Sequence, residues 1–385
     1  MRILHLVGQR EDAGGILAVI RSLHQAGSAV GTRHTVWVHR EYAETRAPAL
    51  DYRRTGFIAS DSPSHIAIFF SSALAFFSLR KLLRQESFDV IHAHTRGGLI
   101  VALLAGLFLG RQVLFTNHSY ASRAWFYRWA ARRDWMTTVV LNPNMAAHYG
   151  LEVGPPRCSI IFSGCADRFL QEPLTANTWP SADRLAKLML VGMGTLVRWK
   201  CWHHPIAALA RLPADLKARV EFHLWGPEQG DPDSQAFAEQ LRELIEQHGL
   251  QEIVLLRGVT NQVTDALRDG HFVVVASENE PCSVSLMEAL ALGLPALAAR
   301  SGGNVDIVQE GTTGLLYETG SIDGLRDQIA AILNGDFTPS PPGEIRESVR
   351  GWAASEMAAK YNHVYRQMAK RNGDVSCTCS SLRMS

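Results

Sequence analysis

Two carboxylates, Glu280 and Glu288, bracket the start of one helix signal, and their setting suggests sugar and phosphate chemistry. The surrounding stretch, residues 273–316, opens with Val273-Val274-Val275, an apolar β-branched run that reads as a buried strand. Polar residues 277–280 follow. Ser283 can cap a helix, and Val284, Leu286, Met287 and Leu290 supply its apolar spacing. Gly293 ends it, Pro295 lies just beyond, and residues 294–298 form a second buried strand. Strand, loop, helix and strand make one βαβ unit of a parallel sheet. Ligands of such sheets lie at the carboxyl ends of the strands, where a helix N-terminus favours a phosphate. An acid in the loop reaches sugar hydroxyls, and an acid further into the helix reaches a ribose. Taken singly, the two residues read more readily as a solvated loop acid and an exposed helix acid.

The elements that must position these groups alternate along the chain. With 385 residues and 46% hydrophobic content there is material for two cores. The net charge of +1 gives no reason to expect a nucleic-acid partner. Its distribution is uneven: residues 1–150 carry 17 Lys and Arg against 9 Asp and Glu. That imbalance reads as a surface for an anionic acceptor or a membrane, or as scattered arginines. The six cysteines match no metal spacing and read as reduced cytoplasmic thiols. The first residues start directly on a strand pattern with no secretory signal. Apolar stretches 66–79 and 99–109 fall short of the ~20 residues that span a bilayer.

In the first half, strand 3–7 leads through Gly14-Gly15 into a helix, where the glycines allow close approach of a ligand. Residues 41–64 are irregular around one short strand. Helix 66–84 carries Phe69, Phe70, Phe76 and Phe77, either packed on the sheet or facing a membrane. In strand 89–94, His92 and His94 share a face without an evident third metal ligand, so structural or acceptor-side roles are expected. Strand 113–116 ends at Thr116-Asn117-His118, and a histidine at that end is a candidate contact for the reacting group. Residues 123–135 mix Arg, Trp and Tyr, either for stacking at an acceptor or interface, or as an ordinary helix. In the second half, Gly192-Met193-Gly194 begins like a dinucleotide loop, but Val197 breaks the fingerprint. Asp231-Pro232-Asp233 precedes a helix, so capping is expected rather than metal binding.

The ordered set Glu280-x7-Glu288, Gly302-Gly303-x-x-Asp306 and Gly311-x-Thr313-Gly314 resembles the signature of retaining glycosyltransferases of family 4, which have the GT-B fold. So do the Gly14-Gly15 loop, Asp89-Val-Ile-His-Ala-His94 and the Thr-x-His at His118. Ser163-Gly164-Cys165-Ala166-Asp167 departs from the family's Asn-Gly-x-Asp turn. Gly194, Leu196 and Lys200 fit its Gly-Arg-Leu-x-x-x-Lys-Gly run, with Thr195 where Arg is usual and Cys201 where Gly is usual.

The resemblance implies an α/β chain of two Rossmann-like doubly wound domains facing across a cleft. They are an acceptor domain at 1–170, a linker at 171–184 and a nucleotide-sugar domain at 185–345. A helix at 346–371 crosses back to the first domain, and 372–385 is expected to be a disordered tail. Lys200 would bind the donor diphosphate with the backbone of Ser283, Val284 and Ser285; Arg198, which matches no position of the family's run, is a candidate to replace the charge missing at Thr195. Glu288 would bind the ribose, and Gly226 and Val259 would lie by the base. Glu280 would hold the donor sugar, His118 would lie by its C6 side, and Gly15 would approach the phosphate. The implied reaction is front-face transfer from a UDP- or GDP-sugar, with retention and without metal or cofactor. The acceptor would be a saccharide or lipid-linked saccharide in cell-envelope polysaccharide synthesis, at the inner face of the plasma membrane. The alternatives are a GT-B epimerase or phosphorylase, or a non-catalytic sugar-nucleotide-binding module.

Overall fold

The computed structural model describes residues 1–10, 15–28, 31–44, 50–55, 65–180, 187–228 and 230–381. The chain forms two compact units, Met1–Gly164 with Ala354–Ser385, and Cys165–Ala353.

The first unit is built on a parallel sheet of β1 (Arg2–Leu6), β2 (Arg33–His39), β3 (Asp51–Thr55), β4 (Val90–Ala93), β5 (Val113–Asn117), β6 (Met136–Val140) and β7 (Cys158–Ile160). Their order is β3-β2-β1-β4-β5-β6-β7, so the winding reverses between β1 and β4. That reversal opens a crevice at the carboxyl ends of two adjacent strands. Thr95 at the end of β4 caps the helix Arg96–Leu109 by accepting from the Gly98 N–H, and Gly110 closes it in the left-handed conformation.

The helix His65–Gln85 packs beside Arg96–Leu109. Phe76 is buried with Ile68, Ala75 and Leu79, but Phe69, Phe70 and Phe77 face outward with Ile66 and Leu74. The helix is thus packed along one face and leaves an apolar face exposed. Over residues 66–85 it is long and apolar enough to cross a bilayer by length and composition, yet it is a packed helix of this unit.

The long helix Ala354–Ser381 lies over the sheet, where Met357, Tyr361, Val364 and Tyr365 join Ile3, Val90, Leu114 and Val139 in one core. It begins at Ala354 rather than at 346. Residues 342–352 instead form a helix and a short turn of the second unit, anchored by buried Ile345 and Val349. The backbone also stays helical through Ser381, where a disordered tail was expected from residue 372; residues 382–385 lie outside the described residues.

The second unit holds β8 (Leu188–Met193), β9 (Val220–Trp225), β10 (Val254–Gly258), β11 (Phe272–Val275), β12 (Ala296–Ala299) and β13 (Gly314–Tyr317). The order β10-β9-β8-β11-β12-β13 is the doubly wound arrangement, reversing between β8 and β11. Every pairing is parallel. Residues 171–180 are not a free linker. Trp179 is part of this unit's core with its indole N–H donating to Ile332 O at 3.0 Å, and the Thr175 N–H donates to Leu292 O at 2.8 Å. Prolines and polar residues flag a linker, but one apolar indole suffices to pin the segment down. The rest of the expected linker, residues 181–186, lies outside the described residues.

Candidate active site

In the second unit the site residues converge where β8 and β11 end. β8 runs through Gly194 into the turn Arg198–Lys200, and Cys201 closes that turn with φ of 53°. β11 runs into the loop that carries Glu278 and Glu280. The two loops are tied by the Glu278 N–H donating to Trp199 O at 2.9 Å. Lys200 Nζ donates to Glu280 Oε2 at 2.7 Å and lies 4.3 Å from the Trp199 ring centroid.

Glu280 is gripped from behind by the loop that follows β12. Its N–H donates to Ser301 Oγ at 3.3 Å, and its carbonyl accepts from the Gly303 N–H at 2.9 Å. A Cβ on Gly302 would fall 1.9 Å from the Glu280 carbonyl oxygen, and Gly302 has φ of 50°. Only glycine fits there. The Gly302-Gly303 pair was legible as part of a family pattern, but its purpose, to orient Glu280, is visible only in three dimensions.

The helix Val284–Ala291 starts at the same place. Ser283 caps it, accepting from the Leu286 N–H, and the Ser285 hydroxyl donates to Met193 O at 3.2 Å, fastening the helix start to the end of β8. With Leu286 capped, the first-turn N–H groups of Val284 and Ser285 are those left to meet an anion. Glu288 follows one turn on. Burial pushes its carboxyl up to about 7, opposed by the Arg168 guanidinium. Gly226 and Val259 lie past the ends of β9 and β10 on the flank of the same edge, with the Gly226 N–H donating to Gly258 O at 2.8 Å.

Arg198 does not join this group. Its guanidinium donates to Gln240 Oε1 at 3.0 Å and lies 5.5 Å from the Phe237 ring centroid, both on the helix Pro232–Gln247. The cation expected to replace the missing arginine at Thr195 is held against a helix instead. Asp231 caps that helix through the Ser234 N–H at 3.0 Å, so the Asp-x-Asp is structural.

The first unit holds the other two candidates. Gly15 begins the helix Gly15–Ser28 in open space; Gly14 lies outside the described residues. His118 follows β5, and its Nε2 lies 3.0 Å from His94 Nδ1. His94 is itself bonded to His5, and burial pushes His118 down to about 4. Sequence reasoning noticed His92, His94 and His118 but missed His5 and His34. The signal available was their position: His5 pairs with His92 in register, and His34 sits beside Ile3.

Among the described residues, two groups of side chains have donor atoms close enough for a metal, His5/His92/His94 and Cys201/His204/Glu278. In the first, every ring nitrogen already makes a hydrogen bond. In the second, burial pushes the Cys201 thiol up to about 11, and Sγ lies 3.4 Å from the Arg198 carbonyl oxygen. The first group is occupied by hydrogen bonding; in the second, His204 Nδ1 is buried without a hydrogen-bond partner among the described residues.

The comparisons agree with this geometry. Residues 178–349 match the family described as glycosyl transferases group 1, and residues 13–164 match glycosyltransferase family 4. The chain is 27% identical over 349 residues to D-inositol 3-phosphate glycosyltransferase of Corynebacterium glutamicum, covering 83% of this chain and 81% of that one. It is 30% identical over 137 residues to N-acetyl-alpha-D-glucosaminyl L-malate synthase of Bacillus anthracis; that match covers 34% of this chain and only 36% of the relative's length. Among solved structures, sucrose-phosphate synthase of Thermosynechococcus elongatus has a TM-score of 0.74 at 17% identity, covering 98% of this chain and 100% of that one. Anabaena HepE in complex with UDP-glucose has a TM-score of 0.66 at 18% identity, covering 97% and 100%. Fold and family matches together define a glycosyltransferase with the GT-B fold. Within that class it is of the family 4 kind.

Proposed function

We propose that this chain transfers a sugar from a nucleoside-diphosphate sugar to a saccharide or lipid-linked saccharide, with retention of anomeric configuration. The observation that carries the reading is the convergence of the Lys200–Glu280 pair, the Ser283-capped helix start and Glu288 at the β8/β11 reversal. Lys200 and the N–H groups of Val284 and Ser285 suit a diphosphate, and Glu288 suits two ribose hydroxyls. Glu280, held by the Gly302-Gly303 loop, then contacts the sugar as Lys200 turns toward the phosphate. The complex of Anabaena HepE with UDP-glucose supports a UDP-sugar as the first donor to test. Glu280 is engaged with Lys200 rather than free as a nucleophile. That favours a front-face displacement in which the leaving phosphate takes the acceptor's proton. In this reading Lys200 and the helix start supply the positive charge, so no metal is needed.

The same reading places the enzyme on the inner face of the plasma membrane, in envelope polysaccharide synthesis. On the helix His65–Gln85, Ile66, Phe70, Leu74 and Phe77 recur at intervals of four, four and three residues and face outward. The exposed cations Lys81 and Arg84 continue the stripe. An apolar arc ending in positive charge suits an anionic lipid surface.

The test is incubation of the purified chain with a UDP-sugar and lipid-linked saccharides, with product anomers read by proton NMR. A product of the donor's own configuration supports the proposal. An inverted product, or donor conversion without an acceptor, refutes it.

A further inference from the structure

Four histidines cross the sheet of the first unit in one hydrogen-bonded row. His34 Nδ1 lies 2.9 Å from His5 Nε2, His5 Nδ1 lies 2.8 Å from His94 Nε2, and His94 Nδ1 lies 3.0 Å from His118 Nε2. The rings stack in step, with centroids 5.2, 5.1 and 5.3 Å apart and interplanar angles of 27°, 28° and 27°. Strand register explains the row. His34 pairs with Ile3 and His5 with His92, so side chains from β2, β1 and β4 share one face across the winding reversal. His92 stands beside the row rather than in it. It bonds Tyr365 Oη and Thr116 Oγ1, each at 2.8 Å, and its ring centroid lies 3.9 Å from that of His94.

A neutral imidazole has one donor and one acceptor nitrogen. In a continuous row the choice made at one end therefore passes to the other. The far end is His34 Nε2, buried and without a hydrogen-bond partner, and a Cβ on Gly27 would stand 2.7 Å from it. A buried N–H with no acceptor is the costlier orphan, so the bare nitrogen there is the acceptor. His34 then carries its proton on Nδ1 and donates to His5. His5 donates from Nδ1 to His94, and His94 donates from Nδ1 to His118 Nε2. His118 is left with its proton on Nδ1.

We infer that His34, His5 and His94 are positioning residues that lock His118 into its Nδ1–H tautomer, so that it presents a neutral hydrogen-bond donor at the carboxyl end of β5. Its effect on turnover rests on the proposed transferase reading and on the part in it that the family resemblance implies for His118; the tautomer does not. Burial keeps the row neutral: it pushes His34 and His118 down to about 4 and His5 and His94 well below their ordinary value. The row therefore sets proton position rather than storing charge.

The test is nitrogen-15 NMR of the histidine rings in the full chain at pH 7, with His34→Asp and His34→Asn as variants. In the unaltered protein all four rings are expected as Nδ1–H tautomers. An aspartate at 34 offers only acceptors to His5 Nε2, reversing each bond in turn, so His118 should switch to Nε2–H, three hydrogen bonds away. Transfer should then lose at least tenfold in kcat with little change in KM for the donor. Asparagine can still donate and should leave the tautomer as it was. His118 found as Nε2–H in the unaltered protein, or unmoved by the folded His34→Asp variant, overturns the inference. A switched tautomer with unchanged kcat would uphold the row and instead refute the placement of His118 at the sugar.

Discussion

Lys200 Nζ lies 2.7 Å from Glu280 Oε2, and both side chains are withdrawn from water, 15% and 4% exposed. The residues proposed to meet the phosphate and the sugar thus hold each other. Removing one partner of a buried pair leaves the other charge uncompensated, at a cost of about 3–5 kcal/mol. Lys200→Ala should therefore destabilise the nucleotide-free protein by about that much, and Lys200→Ala with Glu280→Gln should recover part of the loss. Urea denaturation of the singles and the double measures the coupling. Strictly additive losses would mean the pair does not interact.

Glu288 should make donor binding pH-dependent. Its carboxyl is pushed up to about 7, so it is mostly protonated at pH 6 and mostly ionised at pH 8. Ribose hydroxyls donate best to the ionised form. Nucleotide affinity should fall about tenfold from pH 8 to pH 6, and Glu288→Gln should bind weakly at both. Calorimetric titration at the two pH values checks this; an unchanged affinity in the unaltered protein speaks against the ribose role.

Gly302→Ala should damage the site without touching a ligand. Its Cβ would meet the Glu280 carbonyl oxygen at 1.9 Å, and its φ of 50° disfavours any side chain. A loss of about 2 kcal/mol or more in stability is expected, together with reduced turnover. Full activity in Gly302→Ala would show that Glu280 does not need that grip.

The site was legible from sequence wherever chemistry and local order coincide. Ser283, Val284, Ser285 and Glu288 lie on one short helix and its cap, so local pattern showed that they stand together, and the family resemblance suggested what they bind. Lys200 and Glu280 are 80 positions apart, and only the family pattern linked them. Arg198 misled because a cation beside a phosphate loop looks available, whereas Phe237 and Gln240 claim it from a helix three dozen residues away. His5 and His34 were invisible because a histidine in a strand carries no periodic signal of its own; register with β4 and β1 gives them meaning. The parallel sheets followed from apolar strands alternating with helices, while Trp179 in the expected linker shows how one ring overrides a polar context.

The histidine row should make the protein acid-sensitive. Burial pushes His34 down to about 4 from the ordinary 6.5 of an unfolded histidine. The unfolded chain takes up the proton first, so stability is intact above pH 6.5 and falls as pH drops toward 4. The loss is about 3 kcal/mol for such a histidine. His34→Asn should remove one histidine's share of this dependence in pH-jump denaturation, leaving that of His5, His94 and His118; an equally steep loss would mean that His34 does not contribute.

The outward stripe should govern lipid binding. Burying a Phe side chain contributes about 1.5–3 kcal/mol, so Phe70→Ser with Phe77→Ser should cut association with anionic vesicles by at least tenfold. Co-sedimentation with anionic and neutral vesicles reads it, and unaltered binding by the variant would move the contact to another face.

Thermal unfolding with UDP, GDP, ADP and CMP, with and without Mg²⁺, tests the donor site most directly when run on the unaltered chain and on Lys200→Ala. At 100 times its dissociation constant a ligand stabilises by about 2.7 kcal/mol. One nucleoside diphosphate should raise the transition temperature, equally with and without Mg²⁺, and the rise should vanish in Lys200→Ala. No shift with any nucleotide, or a full shift in Lys200→Ala, would contradict a diphosphate site at Lys200.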